Sequence, residues 1–241
     1  MKYEEYDCLD IGADVNSMNW CKEYLGALNP IGLNIEHLRL DNMRRAGLPC
    51  EEINAFDIPD TESVDYIFMS HLLEHLQTAQ EVTDLVLKCL RLAKKGIYIA
   101  GPFFEDDSYI RTHGLKFVWG DWSGHVSRFG IYNFLPLLRH MMGEKVTVSL
   151  GFPIFDSSSD NVVSVAERKD IDSFERDAKA PKPSISLPRP AFQEFVAFIK
   201  LDDQIDANRI HEARHGNLGR ASWELWEKAE TGALQSIHGR R

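Results

Sequence analysis

The chain of 241 residues carries a formal net charge of −10, with 44% hydrophobic and 27% charged residues, an ordinary composition for a globular protein. That acidity leaves no basic face for phosphates and excludes a general nucleic-acid binder, and no apolar run approaches the roughly 18 residues of a membrane span. The four cysteines (Cys8, Cys21, Cys50, Cys89) form no C-x-x-C pair, so they offer no zinc site and read as free thiols of a reducing cytoplasm.

The opening Met1-Lys2-Tyr3-Glu4-Glu5 is acidic and lacks the pattern of a signal peptide. Tyr6 to Ile11 reads as a first strand, and Gly12 follows where a sharp turn needs a positive φ. Asn16 or Ser17 is the expected N-cap of a helix through Trp20, Cys21, Tyr24 and Leu25, stopped by Gly26 and Pro30. Strand two spans Pro30 to Glu36, a polar helix runs from about His37 to Ala46, and strand three covers Glu52 to Ile58. Strand four, Val64 to Ser70, is apolar. An amphipathic helix from Ala79 to Ala93 places Val82, Leu85, Val86, Cys89, Leu90 and Leu92 at helical spacing, and Lys94-Lys95-Gly96 is its expected end. Strand five is Ile97 to Ala100. Strands alternating with helices in this way imply βαβ units and a mostly parallel sheet, whose ligands bind at the carboxyl ends of the strands.

From Phe103 to Phe129 the sequence is aromatic and irregular, with Trp119 and Trp122, and so long an irregular segment reads as a functional loop. Tyr132 to Met142 reads as a helix despite Pro136. Val146–Leu150 and Asn161–Ala166 read as a closing strand pair around a turn at 156–160. The expected organisation is a domain over residues 1–168, a proline-rich linker over 169–190 with Pro181, Pro183, Pro188 and Pro190, and a helical tail over 191–241. In that tail Phe192, Phe195, Val196 and Ile199 form an i, i+3, i+4, i+7 stripe, and a second helix carries Trp223 and Trp226. The stripe packs on its own domain, or serves a second copy or a partner.

Four segments in this order carry a resemblance: Leu9-Asp10-Ile11-Gly12; Gly32-Leu33-Asn34-Ile35; Asn54-Ala55-Phe56-Asp57-Ile58-Pro59; and Val64-Asp65-Tyr66-Ile67 leading into Ser70-His71-Leu72-Leu73-Glu74-His75-Leu76. Over about residues 5–166 the sequence resembles the class I S-adenosylmethionine-dependent methyltransferases, in particular the group whose fourth strand leads into Leu-Glu-His. His125-Val126-Ser127-Arg128-Phe129 is similar to that group's His-Val-x-x-Phe stretch. The resemblance implies a Rossmann-like α/β fold: a seven-stranded, mostly parallel sheet with helices on both faces and an antiparallel last strand. It implies that Asp10, Gly12 and Ala13 pack on the methionyl part of S-adenosylmethionine. Asn34, with Ile35, takes the place of the acid that holds the ribose hydroxyls. Asn54 takes the place of the adenine reader, with Ala55 and Phe56 beside the ring, and Ser70 and His71 line the floor near the sulfonium. Three positions depart from the family pattern: Asp14 stands where a second glycine is usual, and Asn34 and Asn54 replace acids. Glu36 is a candidate substitute for the ribose acid. Family members also carry helices ahead of strand one that cover the cofactor, a cover expected here from the C-terminal tail or a partner.

Methyl transfer to a hydroxyl calls for a base, and histidine is the natural candidate near neutral pH. His125 is the first choice, with Asp121 four residues earlier to orient its ring, and His71 the second; His75 reads as structural. His113, Asp121 and His125 match no ligand spacing, so no metal is expected. The expected function is methyl transfer from S-adenosylmethionine to an oxygen, less readily a nitrogen, of a small molecule or glycan. The alternative is a methyltransferase-like module that has lost the cofactor and acts as a scaffold, with Asp14 or its neighbours filling the pocket. A dinucleotide-dependent oxidoreductase is disfavoured, because the three-glycine turn is absent.

Overall fold

The computed structural model describes residues 2–61, 63–128, 130–168, 180–216 and 221–222. Its first half follows the alternation of the sequence: β1 (Cys8–Ile11), α1 (Val15–Leu25), β2 (Pro30–Asn34), α2 (His37–Arg45), β3 (Cys50–Glu52), β4 (Val64–Ser70), α3 (Ala79–Leu92) and β5 (Ala93–Pro102). Strand β1 starts at Cys8 and β2 ends at Asn34, each two residues short of expectation, and three other boundaries differ in ways that matter for the site. Helix α1 is capped by Asp14, whose side chain accepts from Asn16 N and Ser17 N, while Ser17 answers the Asp14 backbone in a capping box. Strand β3 ends at Glu52, and Ala55–Asp57 form a 3₁₀ turn. Lys94, Lys95 and Gly96 belong to β5 rather than to the end of α3.

Beyond β5 the corrections are larger. The segment expected to be irregular contains α4 (Phe104–Arg111) and β6 (Leu115–Phe117), which leaves 118–128 as loop; Phe129 lies outside the described residues. Helix α5 (Ile131–Met142) is present with Pro136 inside it. Then come β7 (Val146–Asp156), β8 (Val162–Ser164), β9 (Ser186–Lys200), α6 (Ala207–His215) and β10 (Ala221–Ser222). The expected closing pair is not a pair. Strand β7 joins β9 and β10 in the main sheet, and β8 pairs with β6 in a separate two-stranded ribbon.

The main sheet has the order β10-β7-β9-β5-β4-β1-β2-β3. Strands β3, β2, β1, β4 and β5 are parallel, and β9 runs antiparallel to both β5 and β7. The antiparallel strand of the expected fold is therefore β9, the segment read as the first tail helix. Its apolar residues obey a period of two: Phe195, Ala197 and Ile199 enter the core beneath α3 and α5, and Val196 and Phe198 enter the core beneath α1 and α6. A strand buried on both faces is apolar throughout, and any such run also contains the helical spacing. The stripe is thus sheet interior and not a surface for a partner. Pro188 and Pro190, expected in the linker, lie in the first part of β9, whereas residues 169–179, Trp223 and Trp226 lie outside the described residues. No helix among the described residues is long and apolar enough to cross a membrane.

Gly151 of β7 stands opposite Glu194 of β9, and a Cβ at this position would collide with the His215 ring of α6. Gly151→Ala is therefore expected to push α6 off the sheet and to cost about 1–3 kcal/mol, read as a lower midpoint of urea unfolding; an unchanged midpoint would show that α6 is not seated here.

Candidate functional site

Strand order reverses at β1, whose neighbours are β2 and β4, so the carboxyl ends of β1 and β4 lie side by side with Ile11 in register with Met69. A cavity of about 510 Å³ opens at this point, within the range of small-ligand sites. One wall is Gly12, Asp14, Ser17 and Trp20, joined by Arg39 of α2. The floor is Ser70, His71, Glu74 and His75, with Pro102 at the end of β5. The far wall is Trp119, Trp122 and His125 of the loop.

The β1 turn is fixed from behind. Gly12 adopts φ +82°, and its N–H and that of Ala13 donate to Leu33 O at 2.8 and 3.1 Å. Asn34 is buried and spends both ends of its amide on the backbone: Nδ2 donates to Ala13 O at 2.7 Å, and Oδ1 accepts from Ile35 N and Glu36 N at 2.7 and 2.9 Å. It braces the turns after β1 and β2 against each other and does not line the cavity. Asp10 is also buried and hydrogen-bonded to Ser17 Oγ, while its Oδ1 has no partner. Burial raises the Asp10 carboxyl to about 8, against the lowering effect of the Ser17 bond. Asp14, capping α1 and 3.6 Å from Arg39, forms part of the wall and leaves the cavity open.

On the β3 side, the sequence expectation and the geometry part. Asn54 Oδ1 accepts from Phe56 N at 3.0 Å to cap the 3₁₀ turn. Neither Asn54, Ala55 and Phe56 nor the exposed Ile35 lines the cavity. Glu36 does not line it either; it accepts from Arg39 Nε at 3.0 Å, and Arg39 is the lining residue.

The floor rests on a buried carboxylate that sequence reasoning missed. His71 follows β4 in a left-handed conformation (φ +53°), which turns its ring toward β9. Its Nε2 meets Glu194 Oε2 at 2.8 Å, and its Nδ1 stands 3.3 Å from Glu74 Oε1. Glu194 also accepts two bonds from Arg214, at 2.8 and 2.6 Å, and one from His215 at 3.0 Å. Burial would lower the His71 pKa, but Glu194 and Glu74 outweigh it and raise it to about 10. Because 42% of the side chain is exposed, water screens part of that attraction. A protonated His71 is a fixed cation and not a base, contrary to the expected role. Glu194 in turn is held well below the carboxylate range by Arg214, His215 and His71, against its burial.

The loop wall is clamped at both ends. Asp107 accepts from Arg111 Nε at 2.8 Å, Phe117 N at 3.0 Å and Arg128 Nη2 at 2.6 Å. Asp121, expected to orient His125, instead accepts from Arg111 and Lys116, both at 2.8 Å. His125 is oriented by rings: Trp122 and His75 lie at 4.8 and 5.4 Å between centroids. Burial lowers its pKa to about 4, so the ring is neutral at neutral pH. His75, expected to be structural, lines the cavity with Nδ1 2.8 Å from Gly124 O. His113 packs edge-on against Tyr109, away from the cavity.

No protein-family model matches the chain, and no curated protein matches it. Among solved structures, a SAM-dependent methyltransferase from Archaeoglobus fulgidus superposes with a TM-score of 0.53 at 18% identity, covering 83% of this chain and 90% of that one. A SAM-dependent methyltransferase from Thermotoga maritima gives 0.48 at 13% identity, covering 82% of each. The first of these shows the fold, that of the class I methyltransferases.

The buried Asp10 generates a pH test. The folded chain keeps its proton up to about pH 8, whereas the unfolded chain loses it near pH 4. Folding thus takes up a proton across this window, and stability falls as pH rises through it. Asp10→Asn, neutral throughout, is expected to remove that part of the slope; identical slopes for the two proteins in urea unfolding at pH 5, 6.5 and 8 would refute it.

Proposed function

We propose that the chain binds S-adenosylmethionine beside Gly12 and transfers its methyl group to an oxygen, less readily a nitrogen, of a small molecule or glycan. One observation carries this reading: the open cavity at the β1–β4 switch point, with the glycine turn on one wall and His125 and two tryptophans on the other. The residues present suit such a ligand. Gly12 lets the backbone approach it closely. Asp14 and Arg39, each about 40% exposed, offer one anion and one cation to an amino acid's ammonium and carboxylate. The scaffold alternative needs a filled turn; Asp14, whose Oδ1 caps α1, leaves it open.

When bound, S-adenosylmethionine supplies a methyl group on a positively charged sulfur, open to in-line displacement. The chain's own part is then mainly positioning, the largest available contribution for a transfer of this kind. Trp119 and Trp122 give flat apolar surface suited to a sugar or aromatic face. His125, neutral and facing the cavity, accepts a hydrogen bond from an acceptor hydroxyl. His71 and Glu74 fix the floor between the two ends.

Calorimetric titration of the chain with S-adenosylmethionine and S-adenosylhomocysteine tests this reading. Micromolar binding is expected, weakened at least about tenfold by Gly12→Arg, a loss of about 1.4 kcal/mol. No heat of binding up to about a millimolar, a free energy weaker than about −4 kcal/mol, would overturn it.

A further inference from the structure

The acceptor end of the cavity holds a cluster of three side chains, one of which, His125, the methyl-transfer reading already places against the acceptor. Glu74, His75 and His125 each bring one ligand atom within 4.8 Å of the other two, and all three line the cavity. His125 Nδ1 is shielded from solvent and makes no hydrogen bond, and Glu74 Oε1, equally shielded, has only His71 Nδ1 beside it, at 3.3 Å. Unsatisfied buried polar atoms are costly and call for a partner. His71 touches only one edge of the Glu74 carboxylate, at 3.3 Å, and a carboxylate has about four acceptor positions.

The surroundings prepare this trio. His75 Nδ1 stands 2.8 Å from Gly124 O; donating to that carbonyl fixes the tautomer and leaves the Nε2 lone pair free, the usual outer support of a ligating imidazole. The same loop is tied to the floor by Ser127 N, which donates to Glu74 O at 3.0 Å. His125 therefore sits on a segment bonded on both sides to the turn that carries the other two residues, which keeps the three side chains together.

We infer that Glu74, His75 and His125 form a binding site for a divalent cation of the first transition row, with its open coordination positions directed into the cavity. Two imidazoles and one carboxylate suit zinc, cobalt, nickel or manganese better than magnesium, which prefers an all-oxygen shell. Three protein ligands with a vacant position are the pattern of cations that also hold a substrate or water. On the methyl-transfer reading proposed above, on which this role rests, the cation holds the acceptor's hydroxyl in place of a hydrogen bond to His125 and lowers its pKa. This places the acceptor among compounds with a hydroxyl, or two adjacent hydroxyls, able to ligate a metal.

The test is metal binding by the metal-free full-length chain, without S-adenosylmethionine. Titration with Co²⁺ is expected to give visible ligand-field absorption that saturates at one ion per chain, with Zn²⁺ displacing it and Mg²⁺ failing to compete at equal concentration. His125→Ala, on the loop, and Glu74→Gln, on the floor, are each expected to weaken Co²⁺ binding at least about tenfold, while His113→Ala leaves it unchanged. Circular dichroism identifies any variant that fails to fold, and His125→Asn stands in if His125→Ala does. Absence of saturable absorption, or equal affinity in the folded His125 variants, overturns the site. Metal binding without cofactor binding would retain the site and remove the methyl-transfer reading; the reverse result would do the opposite.

Discussion

The Glu194 carboxylate is the point at which distant parts of the chain meet. It lies on the antiparallel strand β9, opposite Pro102 of β5 and Gly151 of β7, at the end of the sheet where the cavity opens. Arg214 and His215 bring α6 to it from one side, and His71 brings the end of β4 to it from the other. An unpaired carboxylate at 4% exposure would be prohibitively costly, and removing one partner of such a network is far more damaging than the network is stabilising. What the cluster supplies is geometry: His71 turns where it does because Glu194 is there, and Glu74 follows three residues later.

The same economy governs the other walls. Polar side chains that the sequence suggests for roles at the site are engaged elsewhere: Asn34 between two turns, Asn54 at a 3₁₀ cap, Asp121 between Arg111 and Lys116. Short polar side chains compete for nearby backbone groups at such positions. The cavity is instead bounded by Trp20, Arg39, Glu74, His75 and the loop aromatics, residues with long or flat side chains that reach across a gap.

Much of the parallel half is legible in the sequence, because each βα unit is local: an apolar run, a turn, an amphipathic helix. Gly12, Ser70, His71 and His125, which the sequence pattern singles out, line the cavity, and each lies at or just after a strand or loop that the pattern reveals. Most of the differences are long-range. Phe195 to Ile199 contain both a helical and a strand period, and only burial on both faces decides between them. Whether Asp121 serves His125 or Arg111 depends on α4, and whether His71 titrates depends on Glu194, 123 residues away. One local signal was available: Asp14 followed by Ser17 is a capping pair, and it could have been read as the α1 start.

Strand β9 enters the sheet between β5 and β7, both of which precede it in the chain. During synthesis, everything up to β7 is made while that slot is vacant, with β5 offering an open edge and His71 lacking its carboxylate. An edge of this kind invites pairing with other chains, and closing contacts across so great a sequence separation is intrinsically slow. The proline-bearing start of β9 and the two-residue strand β10, which covers the outer side of β7, are therefore the last pieces, among the described residues, of a sheet whose parallel strands are made first. The floor of the cavity is set only when translation has passed His215, so a nascent chain has the outline of the site well before it has its charge balance.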